Sequence, residues 1–537
     1  MLSLQQLSYT HPNKDLLFEN INLNINFQEK IALIGQNGIG KSTLLRLIAA
    51  ELSPTSGTLQ LDTTAYYIPQ ITGQFNELTI AEALHIDKKL NALHEILGGN
   101  ASEENFSSLE DDWTLEERCK EAFEQWNLPE IQLTQKMGTL SGGQKAKVLL
   151  AGIQIHQSQL ILLDEPSNHL DLESKMLLYQ WIRSTKKTLL IVSHDRTLLN
   201  LLDDMAEMTP KGIKRYGGNY DFYVTQKEIE RNAIQQDIHH KEKAIKIAKE
   251  KERETLERQN RLNNRGQKKQ EKAGVARIMM NTLRNTAEKS TAKIKGVHQE
   301  KIGDIRSDLK DLRSSQSMLD EIKIDLGNSS FPQGKSMLKA ESINFTYHSQ
   351  QLWSNNMDLH ISGGDRIALQ GENGSGKTTL VKLLLNQLTP TQGKIERQIF
   401  KAVYLDQEYT IISPHLSVYE QTQEFNVHAL AEHDIKTRLN RFLFGKDDWD
   451  KPCILLSGGE KMRLILCCLT IRQQSPDLII LDEPTNNLDI QNILILTKAM
   501  RDYSGALLVI SHDAVFLREI GIQKTITLTA KNDSYSS

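Results

Sequence analysis

Cysteine and proline are scarce in this sequence, and long apolar runs are missing. The 537 residues include 4 Cys and 12 Pro, and aromatics make up 6%. Cys119, Cys453, Cys467 and Cys468 show no CxxC spacing, which argues against zinc, iron-sulfur clusters and a disulfide framework. The longest apolar stretches, such as LILL at 160–163 and ALLVI at 506–510, fall far short of the ~18 residues a membrane-crossing helix needs. No span is expected. The opening MLSLQQLSYT has no basic region leading into an apolar one, so no secretory signal is read and the cytoplasm is the expected compartment. Hydrophobic residues at 39% and charged residues at 25% suit a folded globular chain. At roughly 150 residues per domain the length implies about three to four domains.

Internal repetition is what the chain has in abundance. GQNGIGKST at 35–43 returns as GENGSGKTT at 371–379. Each is followed by a Tyr and a Gln (Tyr67 and Gln70; Tyr404 and Gln407), then LSGGQ at 140–144 or LSGGE at 456–460. ILLDEPSNHLD at 161–171 matches IILDEPTNNLD at 479–489, and SHD at 193–195 matches SHD at 511–513. The apolar runs IALIG at 31–35, LILLD at 160–164 and TLLIVS at 188–193 read as buried parallel strands. The expected class is α/β, with two doubly wound P-loop domains in tandem, each presenting its ligand site at the carboxyl ends of the strands.

The motifs carry recognisable chemistry. In G-x-x-x-x-G-K-[ST] the glycines let backbone N–H groups turn inward around phosphate, and the following helix offers its positive end to the anion. The first cradle is Gly35, Asn37, Gly38, Gly40, Lys41, Ser42 and Thr43; the second is Gly371, Asn373, Gly374, Gly376, Lys377, Thr378 and Thr379. Lys41 and Lys377 are expected to neutralise β/γ-phosphate charge, and the Ser42 and Thr378 hydroxyls to ligate Mg²⁺. Asp164 and Asp482 end apolar strands, where an acid has little structural reason to sit unless it serves a metal through water. Glu165 and Glu483 come next, placed to polarise the attacking water, and His194 and His512 to contact the γ-phosphate. Gln70 and Gln407 are candidates to complete the metal shell. LSGG turns opening a helix make further anion sites, Ser141, Gly142 and Gly143 in one half and Ser457, Gly458 and Gly459 in the other.

These motifs resemble the ATP-binding cassette superfamily, whose halves face head to tail so that the LSGG turn of one closes over ATP held by the other. The resemblance implies one composite site joining Lys41, Ser42, Gln70, Asp164, Glu165 and His194 to Ser457 and Gly459. It implies a second joining Lys377, Thr378, Gln407, Asp482, Glu483 and His512 to Ser141 and Gly143. Both sites look complete, which suggests that both hydrolyse ATP. Tyr347 fits the superfamily's adenine-stacking slot; the matching positions of the first half hold His11 and Tyr9, and either fits. Ser167 stands where the second half has Thr485, a conservative departure.

Between the halves lie about 140 residues, too many for a simple connection and too polar for a third core. Residues 241–295 hold 17 Lys and Arg against 7 Glu, although the whole chain is −4. Arg258, Arg261, Arg265, Lys268, Lys269, Lys272 and Arg277 meet only one acid, Glu271, and so mark a candidate nucleic-acid surface. Ile294, Val297, Ile302, Ile305, Leu309, Leu312 and Leu319 recur at helical spacing, and Phe222, Ile229, Ala233, Ile238, Ile245 and Ala248 give a weaker stripe. An antiparallel α-helical hairpin follows, of about 40 residues per helix and ~60 Å reach, turning near Gly266 and Gly274. Val275, Ile278, Met279 and Met280 beside the basic run pack on bases or on one another.

Tandem cassettes, no membrane span and a charged helical linker together resemble the ABC-F family of translation-associated ATPases. The resemblance covers essentially the whole chain. It implies domains at 1–218, with an acidic insertion at about 88–125, and 331–537, flanking a linker at 219–330 with its tip at about 258–280. It also implies a monomer whose cassettes form an intramolecular dimer, and an ATP-closed form that binds the ribosome. The linker tip would reach ribosomal RNA and tRNA, either to modulate translation or to protect against ribosome-targeting antibiotics. The insertion makes the first half about 21 residues longer between Gln70 and Ser141 than the second between Gln407 and Ser457; its acidity suits contact with ribosomal protein or plain solvation rather than RNA. The competing reading is an ATPase subunit of a transporter that acts with a separate membrane protein.

Overall fold

In the computed structural model the described residues are 1–537 except 71–72, 101, 129, 169, 273–276, 316–325, 328, 348–349, 373, 473, 487 and 530–537. In the two long helices the side chains of 263, 266–272, 277–288, 290–291, 294, 298 and 314–315 also lie outside the described set. The chain divides into two compact units, Met1–Tyr223 with Ile322–Ser537, and Val224–Glu321.

The apolar runs of the first half become the centre of a six-stranded sheet. Its order is Ala65–Ile68, Leu160–Asp164, Thr188–Val192, Lys30–Ile34, Asp204–Thr209 and Gly212–Tyr216. The first five strands run parallel and the last antiparallel. Leu160–Asp164 and Thr188–Val192 are buried at every position, because helices cover both faces and leave no solvent side for polar residues. A second, antiparallel sheet sets Leu2–Thr10 between Leu16–Ile25 and Ser56–Leu61. Its Leu4, Leu7, Ile21 and Ile25 pack on Leu44, Leu45 and Ile48 of the helix Lys41–Ile48 in one core. A further core, under the other sheet face, holds the helix Gly142–His156 and the insertion residues Leu115, Cys119 and Phe123.

The second half repeats the plan. Its parallel sheet runs Ala402–Leu405, Leu478–Asp482, Ala506–Ile510, Arg366–Gly371 and Lys524–Leu528, beside an antiparallel sheet centred on Ser336–Asn344. All four cysteines are free and buried. No helix among the described residues is long and apolar enough to cross a membrane.

The linker forms two long helices, Tyr220–Lys272 of 53 residues and Arg277–Ser315 of 39. The first is longer than the expected 40 or so and, at 1.5 Å per residue, extends ~80 Å. Gly266 does not turn the chain. One glycine costs a helix only ~1 kcal/mol, and its neighbours are Arg, Gln, Lys and Asn, most of them good helix formers. The turn region, with Gly274 and Val275, lies outside the described residues. Within the linker unit, pairs Lys241–Asp308 and Glu242–Arg313 at 2.5 and 2.6 Å fix the antiparallel pairing. Ile302 and Leu309 are buried, with Ile305 and Leu312 partly so. The first-helix stripe differs from expectation: Ile229 and Ala233 are exposed, while Ile234, Ile238, Ile245 and Ala248 are half-buried. Arg258, Arg261 and Arg265 are exposed. Lys268, Lys269, Lys272 and Arg277 lie on the helices, but their side chains fall outside the described residues, as do Ile294 and Leu319.

Candidate active site

The strand Lys30–Ile34 ends in a loop that reverses into the helix Lys41–Ile48, and this turn dictates glycine. Gly38 and Gly40 have φ of +82° and +102°, in the left-handed region. Gly374 and Gly376 repeat this at +85° and +90°. A Cβ on Gly38 would meet nothing within 4 Å, so this side of the loop is open. Lys41 Nζ arches back to donate to the Gly35 and Gln36 carbonyls at 2.8 and 3.0 Å, and Lys377 Nζ to Gly371 and Glu372 at 2.7 and 3.0 Å. Burial pulls both lysines below the usual ammonium value, against the nearby carboxylates.

A cavity of about 380 Å³ lies over this loop, lined by His11, Asn37, Gly38, Gly40, Lys41, Ser42, Thr43, Gln70, Asp164, Glu165 and His194. The strand ends thus converge on the expected first-half set. Tyr9 is packed into the core, edge-on to His11 at 5.5 Å, so His11 is the ring that faces the cavity. Ser457 and Gly459 are not among its lining residues. In the second half, Thr378 and Gln407 are exposed, and Asn373 lies outside the described residues. Tyr347 is 47% exposed, with its hydroxyl 3.3 Å from Thr379 Oγ1.

Asp164 accepts hydrogen bonds from the Ser42 hydroxyl and, at 3.5 Å, the Tyr67 hydroxyl. Tyr404 makes the closer match to Asp482 at 2.8 Å. These tyrosines, which recur three residues before Gln70 and Gln407, are part of the site, a role that their recurrence alone does not assign. Burial raises both aspartates.

Glu165 and Glu483 occupy left-handed backbone, φ +50° and +46°, an unfavourable conformation for a non-glycine residue and one typical of functional positions. Each backbone N–H is held at 2.8 Å, by the Val192 or Ile510 carbonyl, which ties the glutamate to the strand that ends at the histidine. His194 Nε2 lies 3.4 Å from Glu165 Oε1, and His512 Nε2 lies 3.5 Å from Glu483 Oε1. Burial pushes Glu165 up to about 8 and Glu483 to about 7, and draws His194 down to about 3 and His512 to about 4. Each pair is therefore a neutral imidazole beside a carboxyl that exchanges its proton near neutrality, the range suited to a general base.

Asp164 Oδ1, Glu165 Oε1 and His194 Nδ1 are buried without a hydrogen-bond partner. An open glycine cradle, a buried ammonium and unpartnered acceptors behind a hydroxyl fit a phosphate chain with a hard divalent cation.

The two LSGG turns begin the helices Gly142–His156 and Gly458–Ile471. Ser141 and Ser457 cap them reciprocally with Gln144 and Glu460. A Cβ on Gly459 would run into the Asn492 amide. The halves also touch across their own boundary. Asn37 N donates to Asp489 Oδ2 of the second half at 3.3 Å, and Asp171 acts electrostatically on Lys377. The closing Asp of each DEP segment thus faces the opposite phosphate loop, a contact not anticipated from the motifs.

Comparison with known proteins agrees with this geometry. Residues 18–168 and 354–486 each match the family described as ABC transporter. The chain is 30% identical to the ATP-binding protein YdiF of Bacillus subtilis (strain 168), over 97% of its length and 79% of the relative's. It is 29% identical to YbiT of Escherichia coli O157:H7, covering 94% of this chain and 92% of that one. A crystal structure of an archaeal ribosome recycling factor, aABCE1, with a ribosomal stalk protein shares the fold at a TM-score of 0.60 and 19% identity, over 97% of this chain and 87% of the other.

Proposed function

The chain belongs to the ABC-F family of tandem ATP-binding cassette proteins, and from that premise we propose that it is a ribosome-acting ATPase whose cassettes close on two ATP. In the closed state it binds the ribosome, and the cationic end of the hairpin reaches ribosomal RNA and tRNA. The outcome is modulation of translation or protection against ribosome-targeting antibiotics, in the cytoplasm. ATP hydrolysis is the family's chemistry, and the assignment of roles follows the site.

Lys41 and Lys377 leave their loop carbonyls for the phosphates. Ser42, Asp164 and Gln70, with Thr378, Asp482 and Gln407, are the groups to hold Mg²⁺. Held there, a divalent cation would supply positive charge to offset the charge that develops in phosphoryl transfer. Glu165 and Glu483 orient and deprotonate water, and His194 and His512 donate to the γ-phosphate. His11 and Tyr347 stack on adenine. Ser141–Gly143 and Ser457–Gly459 close over the opposite nucleotide.

The observation that carries the ribosomal reading is the inserted helical pair, whose 53- and 39-residue helices bear exposed Arg258, Arg261 and Arg265 in a run, 258–277, that holds seven Lys and Arg and one acid, Glu271. A protein that only drove a membrane partner would have no use for it. A structure of ribosome-bound archaeal Pelota and ABCE1, with a TM-score of 0.56, supplies a fold relative in that setting. The test is Glu165→Gln combined with Glu483→Gln. The double variant should bind ATP, co-sediment with ribosomes and inhibit translation. Normal ATP binding with all protein in the ribosome-free fraction would return the reading to a transporter subunit.

A further inference from the structure

The two halves match motif for motif, yet they meet asymmetrically. Aligning Asp171 with Asp489 and Asp195 with Asp513 puts Ile493 opposite Lys175, Ala514 opposite Arg196 and Leu201 opposite Glu519. The first half therefore carries two cations at positions where the second has apolar side chains.

Both cations point into the other half. Lys175 lines a cavity of about 130 Å³ with Glu165, His194, Asp195, His512 and Asp513. Its ammonium acts electrostatically on Glu483, His512 and Asp513, all in the second half. Arg196 is 4% exposed and donates from Nη1 to Glu519 Oε2 at 2.6 Å. Its charge also reaches Asp513. Asp513 caps the helix Ala514–Glu519 through Phe516 N at 2.9 Å, and Glu519 is its last residue. Arg196 is thus tied to both ends of the short helix that directly follows His512.

The reverse contact is missing in kind. Asp195 accepts from the Tyr179 hydroxyl and from Thr197 N and Leu198 N, all of its own half, and the counterparts Ile493 and Ala514 bring it no charge. Charges at a buried boundary are weakly screened, so one cation there biases the geometry of its partners far more than a surface ion pair does.

We propose that Lys175 and Arg196 are positioning residues acting across the boundary, holding Glu483 and the His512–Asp513 segment so that hydrolysis at the second site depends on cassette docking while the first site lacks this support. This rests on the assignment of Glu165 and Glu483 to the two sites. It makes the sites unequal by construction, the second depending on two cations from across the boundary and the first meeting apolar Ile493 and Ala514 at the matching positions.

The test uses the full chain and single-turnover ATP hydrolysis, which reads chemistry before the cassettes reopen. Glu165→Gln leaves the second site active, and Glu483→Gln leaves the first. Lys175→Ile and Arg196→Ala should each slow hydrolysis about fivefold or more in the Glu165→Gln background, with ATP affinity held within about twofold, and change the Glu483→Gln background by less than about twofold. Lys175→Arg should restore most of the rate. Arg196→Glu with Glu519→Arg should recover rate relative to Arg196→Glu alone, which separates the contact from a folding defect. Equal losses in both backgrounds, or an Arg at 175 no better than Ile, would overturn the proposal. Unreduced hydrolysis by Glu165→Gln with Glu483→Gln would instead refute the assignment of the carboxylates.

Discussion

Single residues in this protein hold conformations that only one side chain tolerates. A Cβ on Gly35 would lie 2.6 Å from the Met208 carbonyl oxygen of the neighbouring strand. Gly35→Ala must therefore separate the phosphate loop from the strand Asp204–Thr209. We expect a loss of about 1–3 kcal/mol in stability and weaker ATP binding, read by thermal unfolding with and without nucleotide. His156 shows a different dependence. Its ring bonds the Leu84 carbonyl at 2.7 Å and stacks on Tyr66 at 4.7 Å, and burial holds it below the ordinary imidazole value. The folded state thus disfavours the charged ring relative to the unfolded chain. Its contribution is complete above the unfolded value of about 6.5 and is lost as pH falls from there through the lower folded value, at no more than about 1.4 kcal/mol per pH unit. Denaturant midpoints from pH 7.5 to 5.5 should fall less steeply in His156→Gln than in the parent chain.

At the scale of elements, the linker helices illustrate how local sequence and tertiary context share the outcome. The helix Tyr220–Lys272 passes through Gly266, where the missing side chain leaves the backbone more freedom to lose. Gly266→Ala should stabilise that stretch by roughly 1 kcal/mol, slowing amide exchange about fivefold around it without changing ATP hydrolysis. Hydrogen-exchange mass spectrometry on the full chain reads this; unchanged or faster exchange would mean that the glycine is needed where it stands. The strands at 30–34, 160–164 and 188–192 were legible as apolar runs because both sheet faces are covered. The first-helix stripe is legible in part: Ile238, Ile245 and Ala248 are half-buried as expected, whereas Ile229 and Ala233 are exposed and Ile234 is half-buried instead, because periodicity along one helix leaves open which of two neighbouring stripes meets the partner.

For the whole molecule, charge segregation makes the testable difference. The chain is −4 overall, yet 241–295 is strongly cationic. If that segment neutralises RNA phosphates, ribosome association of the Glu165→Gln, Glu483→Gln variant should fall steeply with salt. With about four or more phosphates engaged, raising salt from about 50 to 200 mM should weaken it by on the order of a hundredfold, and neutralising Arg258, Arg261 and Arg265 should flatten the slope. A slope unmoved by those substitutions would place the contact elsewhere on the chain. Docking through uncharged protein surface would give a shallow dependence from the start.

The amino-acid sequence alone determined the duplication, the phosphate loops and the acids at the strand ends, because each of those chemistries demands fixed residue types at fixed short spacing. His11 and Tyr9 were equivalent candidates until the fold buried one and turned the other toward the cavity. The tyrosines on Asp164 and Asp482, the reach of Asp489 to Asn37 and the crossing of Lys175 and Arg196 into the other half were decided by tertiary structure. Residues far apart in sequence become partners only when two separate chain segments are packed against each other, and no local pattern records which side chains that packing will bring face to face.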